Sequence, residues 1–157
     1  MNQLIYRRTG GDRFFDPWPD CGFFYCTRPR HFFIIKEAVR REFGSWGLLL
    51  AKLKLLLGPW AFYGVYSDGR LQHYGWVTLG FSGRYRVGWK SAVIGPVWTA
   101  ENEQGKVLAT TALKQAINAI VERGYRRIYA ETPEDNAAFR KVLDRCGFVR
   151  YGSCDNP

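Results

Sequence analysis

The sequence is poor in metal-ligating and redox chemistry. It has two histidines, His31 and His73, and four cysteines, Cys21, Cys26, Cys146 and Cys154, with no C-x-x-C pair. A structural zinc site needs four ligands in clustered spacing, so no metal is assigned. Cysteines this sparse, in a chain long enough to build its own core, point to reduced thiols in a cytoplasm. The start, MNQLIYRRTGG, has no apolar core of the kind a secretory leader carries, so no signal peptide is expected. Nor is there an apolar run long enough to span a bilayer. The most apolar helical stretch, GLLLAKLKLLLG, is broken by Lys52 and Lys54; it could lie on a membrane surface, and packing onto a sheet is the simpler reading. No repeat, low-complexity tract or Pro/Ser-rich linker divides the chain, so residues 1–157 read as one domain. Acidic residues are scarce too, 14 against 23 Lys and Arg, a net charge of +9. Such a surface attracts polyanions. The cations come singly or in pairs (Arg7-Arg8, Arg40-Arg41, Arg126-Arg127), which favours a solvated face or one anionic pocket over a nucleic-acid-binding arm.

What is present is apolar and aromatic. Hydrophobic residues make up 46% of the chain, enough for a core, and aromatics reach 17%. Many of these fall early (Phe14, Phe15, Trp18, Phe23, Phe24, Tyr25, Phe32, Phe33), where they fill a core or line a pocket. Residues 3–8 and 22–28 read as short strands. From His31 to Leu57 the spacing of Ile34, Ile35, Ala38, Val39 and Phe43 is helical, and Gly44, Ser45 and Gly47 split it into two helices. WAFYGVYS, LQHYGWVTLG and KSAVIGPVWTA are strand-like, with a hairpin turn at Asp68-Gly69. A helix over 105–123 ends at Gly124, and YRRIYAE is a strand. Pro133 suits the first turn of a further helix, which carries Phe139, Val142, Leu143 and Cys146 and stops at Gly147; FVRYGS closes the chain as a strand.

The junction GPVWTAENEQGKVLATTALKQ runs from an apolar strand into a helix. A helix opening there aims unpaired N–H groups and the positive end of its dipole at one spot, where an anion binds to main chain. Gly105 allows close approach and Lys106 adds a cation. Here the chain resembles the GNAT superfamily of acetyl-coenzyme-A-dependent N-acetyltransferases. That family's signature is Arg or Gln, two variable residues, Gly, one variable residue, then Gly or Ala. Gln104, Gly105, Lys106, Val107, Leu108 and Ala109 occupy this frame, with Val107 in place of the usual glycine. In EDNAAFRKVLDRCGF, Asn136 and the pair Gly147-Phe148 have the family's spacing. The likeness is good over residues 60–150 and holds only in element order before that.

The resemblance implies an α+β fold with a GNAT-like mixed, mostly antiparallel central sheet and helices on both faces. It implies acetyl-coenzyme A as acyl donor, a small-molecule amine as acceptor, and direct attack in a ternary complex. The cofactor-binding residues would be Val97, Trp98, Thr99, Gln104, Gly105, Lys106, Val107, Leu108, Ala109, Asn136, Phe139 and Arg140. Of these, Val97, Trp98 and Thr99 would lie where the fourth strand leaves the fifth, their main chain pairing with the pantetheine arm. Thr99 and His73 would be the catalytic residues, His73 as the base that deprotonates the acceptor amine. Leu143 falls where many relatives place a tyrosine acid, so either another group protonates coenzyme A or it leaves as an unassisted thiolate. His31, Phe32, Phe33 and Trp46 would border the acceptor. The stretch VIGPVWTAENEQGK is most similar to GNAT-like proteins of surface-polysaccharide assembly, which suggests a nucleotide-linked amino sugar. The alternative is a non-catalytic domain that binds an anionic ligand or nucleic acid. The chain also reads as one strand short, so a homodimer that completes the sheet is expected.

Overall fold

The computed structural model describes residues 2–15 and 22–155; Trp18 and Cys21, named above, lie outside the described residues. Strands β1 (Asn2–Thr9) and β2 (Gly22–Cys26) precede a short 3-10 turn, Pro29–Phe33, and helix α1 (Lys36–Leu57). Strands β3 (Trp60–Ser67), β4 (Arg70–Leu79) and β5 (Ser91–Thr99) follow. Helix α2 (Leu108–Glu122), strand β6 (Arg127–Pro133), helix α3 (Ala137–Arg145) and strand β7 (Val149–Asp155) complete the order. The strands form one sheet, β2-β3-β4-β5-β6-β1-β7. Only β5 and β6 pair parallel; the other pairs are antiparallel. This is the mixed, mostly antiparallel sheet that the resemblance implies. Seven strands stand in it, as many as the sequence pattern predicts.

Local chemistry explains most of the boundaries. Asp68 and Gly69 both have positive φ, 51° and 76°, the conformation that closes a two-residue hairpin with the twist of β3 and β4. Gly44, at φ 72° and ψ 175°, breaks α1 into the two helical segments its glycines predict. On one face of the sheet, Ala38, Val39, Leu48, Ala51 and Leu55 of α1 pack around Phe62. The other face is covered by Leu113, Ile117 and Ile120 of α2 and Leu143 of α3. Helices therefore lie on both faces, which leaves the rim of the sheet for ligands.

Three boundaries differ from the periodicity. Helix α2 starts at Leu108 rather than 105, because Gly105 takes the left-handed conformation (φ 77°) that ends a turn and does not continue a helix. Pro133 closes β6 and opens no helix, a position where its missing N–H costs no ladder bond. Helix α3 instead begins after Asn136, whose Oδ1 accepts the Phe139 N–H at 3.0 Å.

Candidate active site

The parallel pair β5–β6 holds only from Ser91–Arg127 to Ile94–Ala130. Beyond Ile94, β5 follows β4 alone, with Gly75 opposite Val97, Tyr74 opposite Trp98 and His73 opposite Thr99. A register shift between Gly75 and Val77 bends β5 away at this point. The two strands part, and a cleft of about 1100 Å³ opens between residues 95–99 and 131–133. Ala100 donates its N–H to Gln72 O at 2.9 Å. Strand alternation then turns the N–H and C=O groups of Val97 and Thr99 to the open edge. Thr99 O accepts Gln104 Nε2 there, at 3.3 Å.

One end of the cleft is the start of α2. Glu103 and Lys106 are joined at 3.0 Å, Gly105 turns the chain, and Val107 occupies the N-cap position with no side-chain oxygen to offer. The first N–H groups of α2 are therefore left without a side-chain cap, beside the cleft. Gln104, Gly105, Lys106 and Ala109 line this end, and Asn136 and Phe139 line the wall that α3 provides. Val97, Trp98 and Thr99 line the middle.

Other expected residues stand elsewhere. Val107 is exposed, Leu108 packs on the core, and Arg140 Nη1 is turned to Glu134 O at 3.0 Å. Leu143 is wholly buried among core side chains, so its position is not one from which a hydroxyl could reach a leaving group. Its neighbour Val142 faces the cleft. His73 is a clearer correction. Its ring is fully buried, packs against Tyr63 at 5.8 Å, and forms no part of the cleft wall. Nδ1 lies 2.9 Å from Thr99 Oγ1, and Nε2 has no partner among the described residues. Desolvation lowers its pKa to about 4. A histidine that is neutral and out of reach at pH 7 does not collect a proton from an acceptor. The Thr99 hydroxyl is likewise directed inward, which leaves Thr99 its main chain as a functional group.

The cleft has contributors that composition alone did not single out. Ala138, Lys141, Val142 and Arg145 follow i, i+3, i+4, i+7 spacing and form one face of α3, a pattern that was readable in the sequence. Thr132 is buried, its Oγ1 unpartnered among the described residues, on the β6 side. Glu131 is paired with Arg84 at 2.6 Å. A second cavity of about 500 Å³ lies across Trp98, which lines both. Ala38, Arg41 and Glu42 of α1 meet Arg70 and Gln72 of β4 there, and the small Ala38 makes room for it. Trp98 stacks on Tyr74 at 5.2 Å with 24° between the rings. His31, Phe32, Phe33 and Trp46 take no part in this cavity: Phe32 is core, and Phe33 and Trp46 face outward.

A family model described as "Acetyltransferase (GNAT) family" matches residues 11–148. No curated protein sequence matches the chain. Among solved structures, an acetyltransferase of the GNAT family from Novosphingobium aromaticivorans is similar over 97% of this chain and 60% of its own, with 20% identity and a TM-score of 0.63. This chain thus spans about three-fifths of that relative's length. One from Colwellia psychrerythraea matches over 95% of this chain and 52% of its own, with 16% identity and a TM-score of 0.62. Aminoglycoside N-acetyltransferase AAC(6')-Iy, in complex with a bisubstrate analogue of coenzyme A, matches over 88% of this chain and 97% of its own. Its identity is 12% and its TM-score 0.66.

Proposed function

This chain belongs to the GNAT acetyltransferase family, and on that premise we propose that it moves acetyl from acetyl-coenzyme A to the amine of a nucleotide-linked amino sugar. The observation that carries the reading is the parting of β5 from β6 directly in front of the uncapped start of α2. The diphosphate of the donor lies on the first-turn N–H groups, with Gln104, Gly105 and Lys106 at its rim. The pantetheine arm runs along the open edge of Val97 and Thr99, between β5 and the Asn136–Phe139 wall. A main-chain N–H of that edge polarises the thioester carbonyl.

The acceptor occupies the cavity across Trp98. Arg41 and Arg70 match a diphosphate, the Trp98–Tyr74 pair offers a face to a ring, and Glu42 is the candidate base. The amine gives up its proton and attacks the thioester carbon. The C–N bond forms, the C–S bond breaks, and the thiolate leaves to be protonated by water. AAC(6')-Iy, by its name, acts on an aminoglycoside, the same class of amine. A place in surface-polysaccharide assembly rests on the sequence of residues 93–106 alone.

The test is release of coenzyme A thiol with a panel of amines. The expected result is the highest kcat/KM for a UDP-linked amino sugar, above the free amino sugar and a lysine peptide. Glu42→Gln is expected to lower kcat by about a hundredfold. A protein that binds acetyl-coenzyme A yet releases thiol with none of these amines, or prefers the peptide, is not the enzyme proposed.

A further inference from the structure

The second segment of α1 is apolar on two opposite sides, and the sheet covers only one. Leu48, Ala51 and Leu55 are buried against it. Trp46, Leu49, Leu50, Leu53, Leu56 and Leu57 remain between 39% and 79% exposed. At about 100° per residue these six fall within an arc of roughly 120°, centred opposite the buried stripe. Lys52 and Lys54 flank that arc, one on each side. Residues 44–58 contain no other charge, and no carboxylate at all.

We propose that this face seats the protein on an anionic lipid surface, the helical segment 45–57 lying in the plane of the interface. The reading is independent of acetyl transfer. A helix apolar all round is at home in a core or in lipid, and the outer half of this one has no core to join. It is too short to cross: the segment is about 20 Å long at 1.5 Å per residue, against a hydrocarbon thickness of about 30 Å. Among the described residues no helix is long and apolar enough to span a membrane. The order along the arc, with a tryptophan and leucines inside and lysines at the edges, is that of an interfacial helix whose cations reach headgroup phosphates while their stems cover apolar surface. In the free protein Lys54 is drawn over the sheet, its Nζ 3.7 Å from the Trp60 ring centre and 4.2 Å from that of Trp76, and it reaches a headgroup by leaving these rings. Charge decides the occupant. A second copy would bring lysine-edged faces together within a chain of net charge +9, with no carboxylate on either face to pair them. An anionic bilayer complements both the stripe and its edges.

The experiment is co-sedimentation with vesicles of phosphatidylglycerol and phosphatidylcholine, against vesicles of phosphatidylcholine alone. The wild-type chain is expected to partition onto the mixed vesicles, about tenfold or more above the neutral ones. The triple variant Leu50→Gln, Leu53→Gln, Leu57→Gln is expected to lose that binding with an unchanged Tm, since all three side chains face outward. A blue shift of tryptophan emission on binding should vanish in Trp46→Phe. The proposal is overturned by absence of wild-type binding, by equal binding of the triple variant, or by equal binding to neutral vesicles. It is also overturned by a wild-type dimer that the triple variant dissolves, which would make the face an interface between copies.

Discussion

Two residues carry the sharpest consequences at the scale of single side chains. Gly105 is held at φ 77°, and no atom stands within 4 Å of where a Cβ would be. The cost of a side chain there is one of backbone conformation, about 1–2 kcal/mol, and worst for a β-branched residue. Gly105→Val is therefore expected to lower acetyl-coenzyme A affinity about tenfold or more, about 1.4 kcal/mol. Unchanged affinity by calorimetry in a folded variant would sink the phosphate role of this turn. His73 behaves differently. Its folded pKa, about 4, lies below its ordinary value of 6.5 because burial disfavours the imidazolium. The unfolded chain thus binds a proton that the native chain refuses, so stability is full above pH 6.5 and is lost as pH falls towards 4. The loss amounts to about 3 kcal/mol over that window. Urea titrations at pH 7 and pH 4.5 should differ less in His73→Gln than in the wild type. The acid limb of the pH–rate profile should persist in that variant. This residue also marks a limit of the sequence: its strand and its scarcity were visible, but which face of β4 it took depended on a register shift that no pattern announces.

Helix α3 shows at the scale of elements what periodicity does and does not reveal. Its apolar spacing was legible. The misreading was to let Leu143 stand for a group facing the ligand, when the same 3.6-residue period that puts Ala138, Lys141, Val142 and Arg145 on the cleft puts Leu143 in the core. Leu143→Tyr should therefore overpack the core, costing about 1–3 kcal/mol, with no gain in turnover. Heat denaturation and a thiol-release rate measured together would decide this, and a faster enzyme would contradict it. Asn136 allows a finer separation. Asp caps a helix as well as Asn does, but places a carboxylate at the cleft wall. Asn136→Asp is expected to keep the wild-type Tm while weakening acetyl-coenzyme A binding; Asn136→Ala should cost about 1 kcal/mol of stability. Equal affinity in the wild type and the Asp variant would leave Asn136 as a cap alone. The strand ends were less legible than the helices, because β5 leaves β6 through a bend and not through a change of composition.

Charge belongs to the whole molecule, and it separates the enzyme from the nucleic-acid reading. Among the described residues the cleft is lined by Lys54, Arg84, Lys106, Lys141 and Arg145, against Glu103 and Glu131. Arg84 is paired with Glu131 and Lys106 with Glu103, while Lys54 lies over two indole rings. Lys141 and Arg145 are then the cations left to meet the phosphates of a donor. Two such contacts set a shallow salt dependence. Acetyl-coenzyme A affinity should fall by less than about tenfold between 50 and 200 mM salt, whereas a nucleic-acid site with six to ten phosphate contacts loses about 10³–10⁵ over that range. Replacing Lys141 and Arg145 together by Gln should flatten the salt dependence further and weaken donor binding about tenfold. It should leave kcat at saturation within about twofold, because the lost contact is equal in the ground and transition states. Arg145 also ends α3, where a cation favours the helix dipole, so Tm is recorded alongside. A variant that loses only Tm, with donor affinity and salt slope unchanged, would assign these cations to the helix, and the donor phosphates would then rest on the main chain of α2 alone.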